Sequence, residues 1–189
     1  LLQCTDPERF HPGEAETSSS TRGPLFVGNS RGIPRPTVME SVRAGLPLEL
    51  YGGDWERFVP AAAISGERVD NTELGHLYSS ASVVLNDHWA DMQREGFISN
   101  RLFDVVAAGG RAFSDNVPGI DQIFDGAVQT YDTVSEIVPF LESDLDERFP
   151  DADALAGVSR RVREEHSFAA RARILLDHAI ADLAAQGRR

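Results

Sequence analysis

Residues 94–119 read REGFISNRLFDVVAAGGRAFSDNVPG, and the order of residue types in this stretch decides the fold. Glu95 and Gly96 precede a segment in which Leu102, Phe103, Val106 and Ala107 recur at helical spacing. Ser99 or Asn100 supplies a cap for that helix, and Gly109-Gly110 supplies its stop. GRAFSDN then changes to a short apolar run that ends in polar residues, which predicts a buried strand. A helix handing over to a buried strand through a glycine pair is the repeating unit of a parallel sheet.

Working outward, the same alternation recurs. Strands are expected in PLFVGNS, LPLELYGGD, SVVLND and GAVQTYD, with a weaker one in ISGERV. Helices are expected in RPTVMESVRAG, in DNTELGHLYSSA with Asp70 or Asn71 as cap, in PGIDQIF from Pro118, in TVSEIVPFLESD, and in two long segments at the end. WERFVPAAA reads as a short helix or irregular segment. The fold class is therefore α/β, a doubly wound Rossmann-like parallel sheet. Residues 1–22, polar and Ser/Thr-rich, read as a linker or arm; 23–150 form the α/β domain; 151–189 form the terminal helices.

Composition narrows the chemistry. The net charge of -12 argues against nucleic acid as a partner, because each phosphate contact would oppose the field of the whole domain. All eighteen basic residues are arginine, so a Walker-type phosphate lysine, a Schiff-base lysine and a lysine base are excluded. Cys4 is the single cysteine, which removes internal disulfides and cysteine-based metal sites. No apolar run reaches the length of a membrane span, and the opening residues lack the design of a signal peptide, so a cytoplasmic protein is expected.

In such sheets ligands bind outside the carboxyl ends of the strands. The candidate walls are GNSR after the first strand, NDHW after SVVL, and SDNVPG after RAF. The helix opening at Ser99-Asn100 presents free N–H groups and a positive dipole end to an anion such as a phosphate. Gly96 lets a ligand approach the backbone, and Asp104, one turn into the helix beyond Arg101, could accept hydrogen bonds from ribose hydroxyls. Arg101, in the first turn, is a further substrate-binding candidate; the bland alternative is a surface pair of Arg101 with Asp104 at i,i+3. Asp87, His88 and Asp91 lie close in sequence but offer no convincing metal cluster, and no metal is expected. His88, just past a strand, is a candidate contact to donor or acceptor; Trp55 and Trp89 could stack on a sugar or base.

EGFISNRLFDVVAAGG resembles the donor-binding signature of retaining GT-B glycosyltransferases, and NRLFDVVAAGGRAFSDNVPG is most similar to the bacterial spore-maturation CgeB-like branch of group 1. LFVGNSRG and ELGHLYSSASVVLND stand in the same order as in that family, so the resemblance covers roughly Pro24 to Ile123 well. It implies a donor domain that binds a nucleoside-diphosphate sugar, without cofactor or metal, and transfers a hexose-type sugar with retention. By the resemblance, Asp104 holds the ribose, Glu95 faces the donor sugar, and Gly96, Phe97, Ser99 and Asn100 meet the diphosphate. Arg31 or Arg35, after Gly28, Asn29 and Ser30, neutralises the leaving diphosphate, and the segment with Arg68 and Val69 flanks the base. Glu95 and Asp104 stand one residue further apart than in the common signature, and arginine must replace its usual lysine.

LLQCTDPERFHP resembles the interdomain connection of such enzymes, which implies that the acceptor-binding N-terminal domain lies outside this chain. The final helix would run towards it, any peripheral membrane association would come through it, and the chain alone would be inactive. An apolar face near the strand ends, able to self-associate, is the expected consequence. Two other functions stand beside this one: a non-catalytic α/β nucleotide-binding or protein-interaction module, and a GT-B-fold sugar-nucleotide epimerase.

Overall fold

The computed structural model describes residues 2–13 and 22–186. Five strands form one parallel sheet: β1 (Leu25–Val27), β2 (Glu49–Tyr51), β3 (Val84–Asn86), β4 (Ala112–Asp115) and β5 (Val128–Tyr131), in the order β2-β1-β3-β4-β5. The helices are α1 (Pro36–Arg43), α2 (Leu74–Ser80), α3 (Ala90–Arg94), α4 (Asn100–Ala107), α5 (Ile120–Phe124), α6 (Ile137–Leu141), α7 (Leu145–Arg148), α8 (Ala152–Glu165) and α9 (Phe168–Gln186).

Successive strand residues point to opposite faces, and each face has its own core. Leu25, Val84, Ala112 and Val128 pack with Leu102, Phe103 and Val106 of α4, Phe124 of α5 and Val158 and Val162 of α8. Phe26, Leu50, Leu85 and Phe113 pack on the other side with Val38 of α1, Trp55, and Ile137 and Leu141 of α6. Both faces are covered, which is why the strands read as continuous apolar runs.

The glycine pair after α4 is a Schellman stop. The Gly110 amide bonds the Val105 carbonyl and the Gly109 amide the Val106 carbonyl, with Gly109 at φ 83. Gly110 has a second reason to be glycine, since a Cβ there would collide with the Tyr78 carbonyl oxygen. Gly110→Ala is expected to cost roughly 2–3 kcal/mol through this collision. Gly109→Ala should cost about 1 kcal/mol, chiefly through backbone conformation, with only the Pro12 ring 3.3 Å from the added methyl. Urea denaturation of both variants checks the order; equal losses would show that crowding at Gly110 is relieved.

Several expectations need correction. The weak strand in ISGERV shrinks to a single bridge between Tyr51 and Gly66. The helix over TVSEIVPFLESD divides into a 3-10 turn, Val134–Glu136, and α6. Pro139 has no N–H, so it is tolerated only in a first turn, and α6 must start just before it. Asp70 does not cap α2 directly: its carboxylate accepts the Thr72 amide and hydroxyl in a local turn, and Glu73 is the residue before the helix. The helix expected from Pro118 starts at Ile120, after Gly119 at φ 100.

Where they are described, the opening residues of the expected linker or arm pack against the domain. Thr5 and Phe10 are buried, Thr5 bridges Ser167, and the buried Arg171 donates to the carbonyls of Leu2 and Gln3. Residues 14–21, the rest of that expected linker, lie outside the described residues. Of the terminal helices, α8 packs onto this domain's own α4 and α5, whereas α9 buries only Arg171 and exposes Phe168, Leu175, Leu176, Ile180 and Leu183. After the strand ends the exposed large apolar side chains are Ile33, Phe97 and Val134, and most of the others among the described residues sit on α9. No helix among the described residues is long and apolar enough to cross a membrane.

Candidate functional site

The carboxyl ends of β1, β3 and β4 open on one side of the sheet, and the loop after β1 forms the first wall. Gly28 donates to the Tyr51 carbonyl and accepts from the Trp55 indole N–H at 2.8 Å. Asn29 accepts the Gly53 amide at 2.8 Å. Ser30 is fully buried; its hydroxyl donates to the Asp54 carbonyl at 2.5 Å and accepts the Gly32 amide. Ser30, expected as a binding residue, therefore holds the loop through its hydroxyl. Arg31 follows with φ 52, a left-handed conformation uncommon for a residue with a side chain.

Three guanidinium groups gather at this mouth. Arg35 is 7% exposed and lies 3.9 Å from the centre of the Trp89 ring, with Arg31 at 5.9 Å from the same ring. Arg101 turns back from α4, 4.9 Å over the Phe26 ring, and donates to the Asn86 side chain at 3.3 Å. It lies so close to the β1 exit that a Cβ on Gly28 would stand 2.7 Å from it. None of the three has a carboxylate within salt-bridge distance among the described residues. Burial lowers the Arg35 pKa; Asp87 opposes the shift, and the neighbouring Arg101 and Arg31 charges add to it. The surface pair of Arg101 with Asp104 does not form.

Beneath the mouth lies a polar floor. Asp87 accepts the Thr37 hydroxyl at 2.6 Å and the Tyr131 hydroxyl at 2.5 Å, and burial pushes its pKa up. The His88 side chain has no exposed surface; its Nδ1 is 2.7 Å from Asp115 Oδ1, and its Nε2 accepts the Ser99 amide at 2.8 Å. Both ring nitrogens of His88, expected as a contact to donor or acceptor, are engaged within the protein. Asp91 pairs with Arg94 on the surface, so Asp87, His88 and Asp91 point to three different partners. Among the described residues no cluster of His, Cys, Asp or Glu is arranged to hold a metal ion.

Asp104 sits one turn into α4, partly buried. One carboxylate oxygen accepts the Thr5 hydroxyl at 2.7 Å and the other the Asn100 side-chain amide at 2.8 Å. Burial pushes its pKa up to about 6 against the lowering effect of those bonds. A carboxylate has about four acceptor positions, so two bonds leave capacity for hydroxyl donors. Glu95 is exposed at the end of α3, bonded to Arg94, and next to it Gly96, at φ 69, and Phe97 are exposed too. No contact joins Glu95 to Asp104 or to the arginines among the described residues. On the β2 side, Arg68 and Val69 share a groove of about 170 Å³ with Val27, Gly28, Asn29 and Tyr51.

Thr5 was given no role in the sequence reading, and Asn86, Ser114 and Asp115 stood there only as members of the walls NDHW and SDNVPG. Thr5 carries no local signal. The other three do: Asn86, the last residue of β3, pairs in register with Ser114, one before the end of β4, so VLND and AFSD overlay as equivalent polar exits.

A parallel five-stranded sheet covered by helices on both faces, with three guanidinium groups at its carboxyl edge, defines an α/β domain of Rossmann-like type. The chain belongs to the glycosyl transferase-like family, whose profile it matches over residues 35–177. No curated protein sequence matches it. Its fold is similar to that of AviGT4, a glycosyltransferase involved in avilamycin A biosynthesis, at 16% identity and TM-score 0.66, over 98% of this chain and 58% of that one. It is equally similar to sucrose-phosphate synthase from Thermosynechococcus elongatus, at 13% identity and TM-score 0.66, over 97% and 52%. Trehalose 6-phosphate synthase from Burkholderia multivorans follows at 13% identity and TM-score 0.54, over 89% and 44%. The sheet and its flanking helices match GT-B glycosyltransferase structures, and the chain spans about half the length of these neighbours.

Proposed function

We propose that this chain is the donor-binding half of a glycosyltransferase, accepting a nucleoside-diphosphate sugar at the carboxyl edge of its sheet. The observation that supports this reading best is the grouping of Arg31, Arg35 and Arg101 without carboxylate partners in a chain of net charge -12. Arginines left unpaired in so acidic a protein are set for an anion that arrives from outside. A planar guanidinium keeps its charge when desolvated and can bond two phosphate oxygens, which suits it to a diphosphate.

Sugar transfer breaks the bond between the anomeric carbon and the diphosphate, and negative charge builds on the leaving oxygen. Fixed positive groups stabilise that charge without rearranging. We assign this task to Arg35 and Arg31, with the α4 N-terminus beside them. Asp104 takes the ribose hydroxyls, the groove of Tyr51, Arg68 and Val69 takes the base, and Glu95 faces the sugar. A hexose-type sugar, retention of configuration and membership of the CgeB-like branch follow the sequence resemblance. An acceptor-binding domain from the rest of a longer chain would complete the cleft, and this half by itself would bind donor without transferring it.

Calorimetric titration with UDP-, GDP- and dTDP-sugars tests the reading. Saturable binding of one nucleoside diphosphate at physiological ionic strength is expected, with no binding of the free nucleoside. Silence from every nucleotide, or indifferent binding of any polyanion, would sink it.

A further inference from the structure

We propose that His88 is a positioning residue for the phosphate end of the site. As the neutral Nδ1–H tautomer, it ties the Asp115 carboxylate to the Ser99 amide and so fixes how α4 presents its N-terminus. This rests on the nucleotide reading above, but the clamp itself is visible without a ligand.

An amide N–H can only donate, so Nε2, 2.8 Å from the Ser99 nitrogen, must carry a lone pair. The ring proton then resides on Nδ1 and points to Asp115 Oδ1 at 2.7 Å. That oxygen also accepts the His88 amide at 2.9 Å and the Ser114 hydroxyl at 3.1 Å, so the anchor is itself held. The ring is sealed from solvent and links the exits of β3 and β4 to the start of α4.

The helix start shows why such an anchor is needed. Ser99 occupies the N-cap position, yet its side chain makes no capping bond. The neighbouring Asn100 side chain is committed to Asp104. The orientation of the first turn is therefore set from beneath, through the Ser99 backbone. With Ser99 taken, the Asn100 and Arg101 amides remain without a partner among the described residues and form the donor pair for a phosphate.

Two variants separate positioning from packing. In His88→Asn the amide nitrogen takes the place of Nδ1 and reaches Asp115 but not Ser99. In His88→Gln the amide oxygen reaches the place of Nε2 and accepts from Ser99. Affinity for UDP and GDP should stay within about threefold in the glutamine variant and fall about tenfold or more in the asparagine variant, as expected for one misplaced charge-assisted contact. Without ligand, long-range proton–nitrogen NMR should show Nδ1 protonated and Nε2 bare, and the Ser99 amide should exchange faster in His88→Asn than in His88→Gln. A ring protonated on Nε2, or equal Ser99 exchange in the two variants, overturns the clamp. Equal affinities in variants of matched stability overturn its role in binding. A wild-type protein that binds no nucleoside diphosphate overturns the nucleotide reading and the role in binding together, and the tautomer and exchange results still decide on the clamp.

Discussion

Arg35→Met is expected to lower nucleoside-diphosphate affinity thirty- to a hundredfold, about 2–3 kcal/mol, while the urea midpoint of the free protein stays level or rises. The two halves of this result have one cause. Arg35 is nearly sealed from water, has no carboxylate within salt-bridge distance, and lies within the fields of Arg31 and Arg101, which the Asp87 and Asp115 charges oppose in part. Its charge costs the empty protein free energy, offset in part by stacking on Trp89, which is worth roughly 0.5–2 kcal/mol. Methionine keeps an unbranched apolar stem against the ring and removes both the desolvation cost and the repulsion. A drop in stability that matched the drop in affinity would instead make Arg35 a packing residue.

Asp104→Asn should stabilise the fold by about 2 kcal/mol at pH 8 and by almost nothing at pH 4. The folded carboxyl titrates at about 6, above its ordinary value, because burial disfavours the anion. A raised folded pKa means that the contribution of the group is intact below the unfolded pKa near 4 and is lost as pH rises through 6. Asparagine has no anion to bury, and the Asn100 amide can reverse to present its oxygen, so the bonds from Asn100 and Thr5 survive. Denaturation curves at pH 4, 6 and 8 check the slope. A stability difference independent of pH would show that the carboxyl titrates normally. In the same variant, affinity for a ribonucleoside diphosphate should fall about tenfold or more, while affinity for its 2′,3′-dideoxy counterpart should not change.

Both residues are ones whose charge the empty fold bears at a cost, and that pattern was only half legible in the sequence. The alternation of apolar runs with helical periods located all five strands of the sheet, and the Gly109-Gly110 stop was read from its residues alone. Helix α3 was missed because ADMQR is five residues long, with one large apolar side chain and no face to bury. The direction of Arg101 was illegible for a different reason. Spacing offers Asp104 as its neighbour, whereas the phenyl face of Phe26 and the amide of Asn86, both distant in sequence, draw it the other way. His88 was read as a contact to donor or acceptor, since nothing local marks Asp115 as its partner 27 positions on. The register of adjacent parallel strands supplies that proximity, and register is a tertiary fact.

The bonding between the exits of β1 and β2 has a consequence for recognition. Gly28, Asn29 and Ser30 are tied to Tyr51, Gly53, Asp54 and Trp55, and Gly52 packs so tightly against the Gly28 carbonyl that no Cβ fits. The two segments make a single stiff lip. Their conformational entropy is surrendered when the chain folds, at roughly 1–2 kcal/mol per residue, and not when a guest arrives. Selectivity at this edge is therefore a matter of shape already set, like a mould, and sequence changes that loosen the lip would weaken every guest alike before they altered the preference among them.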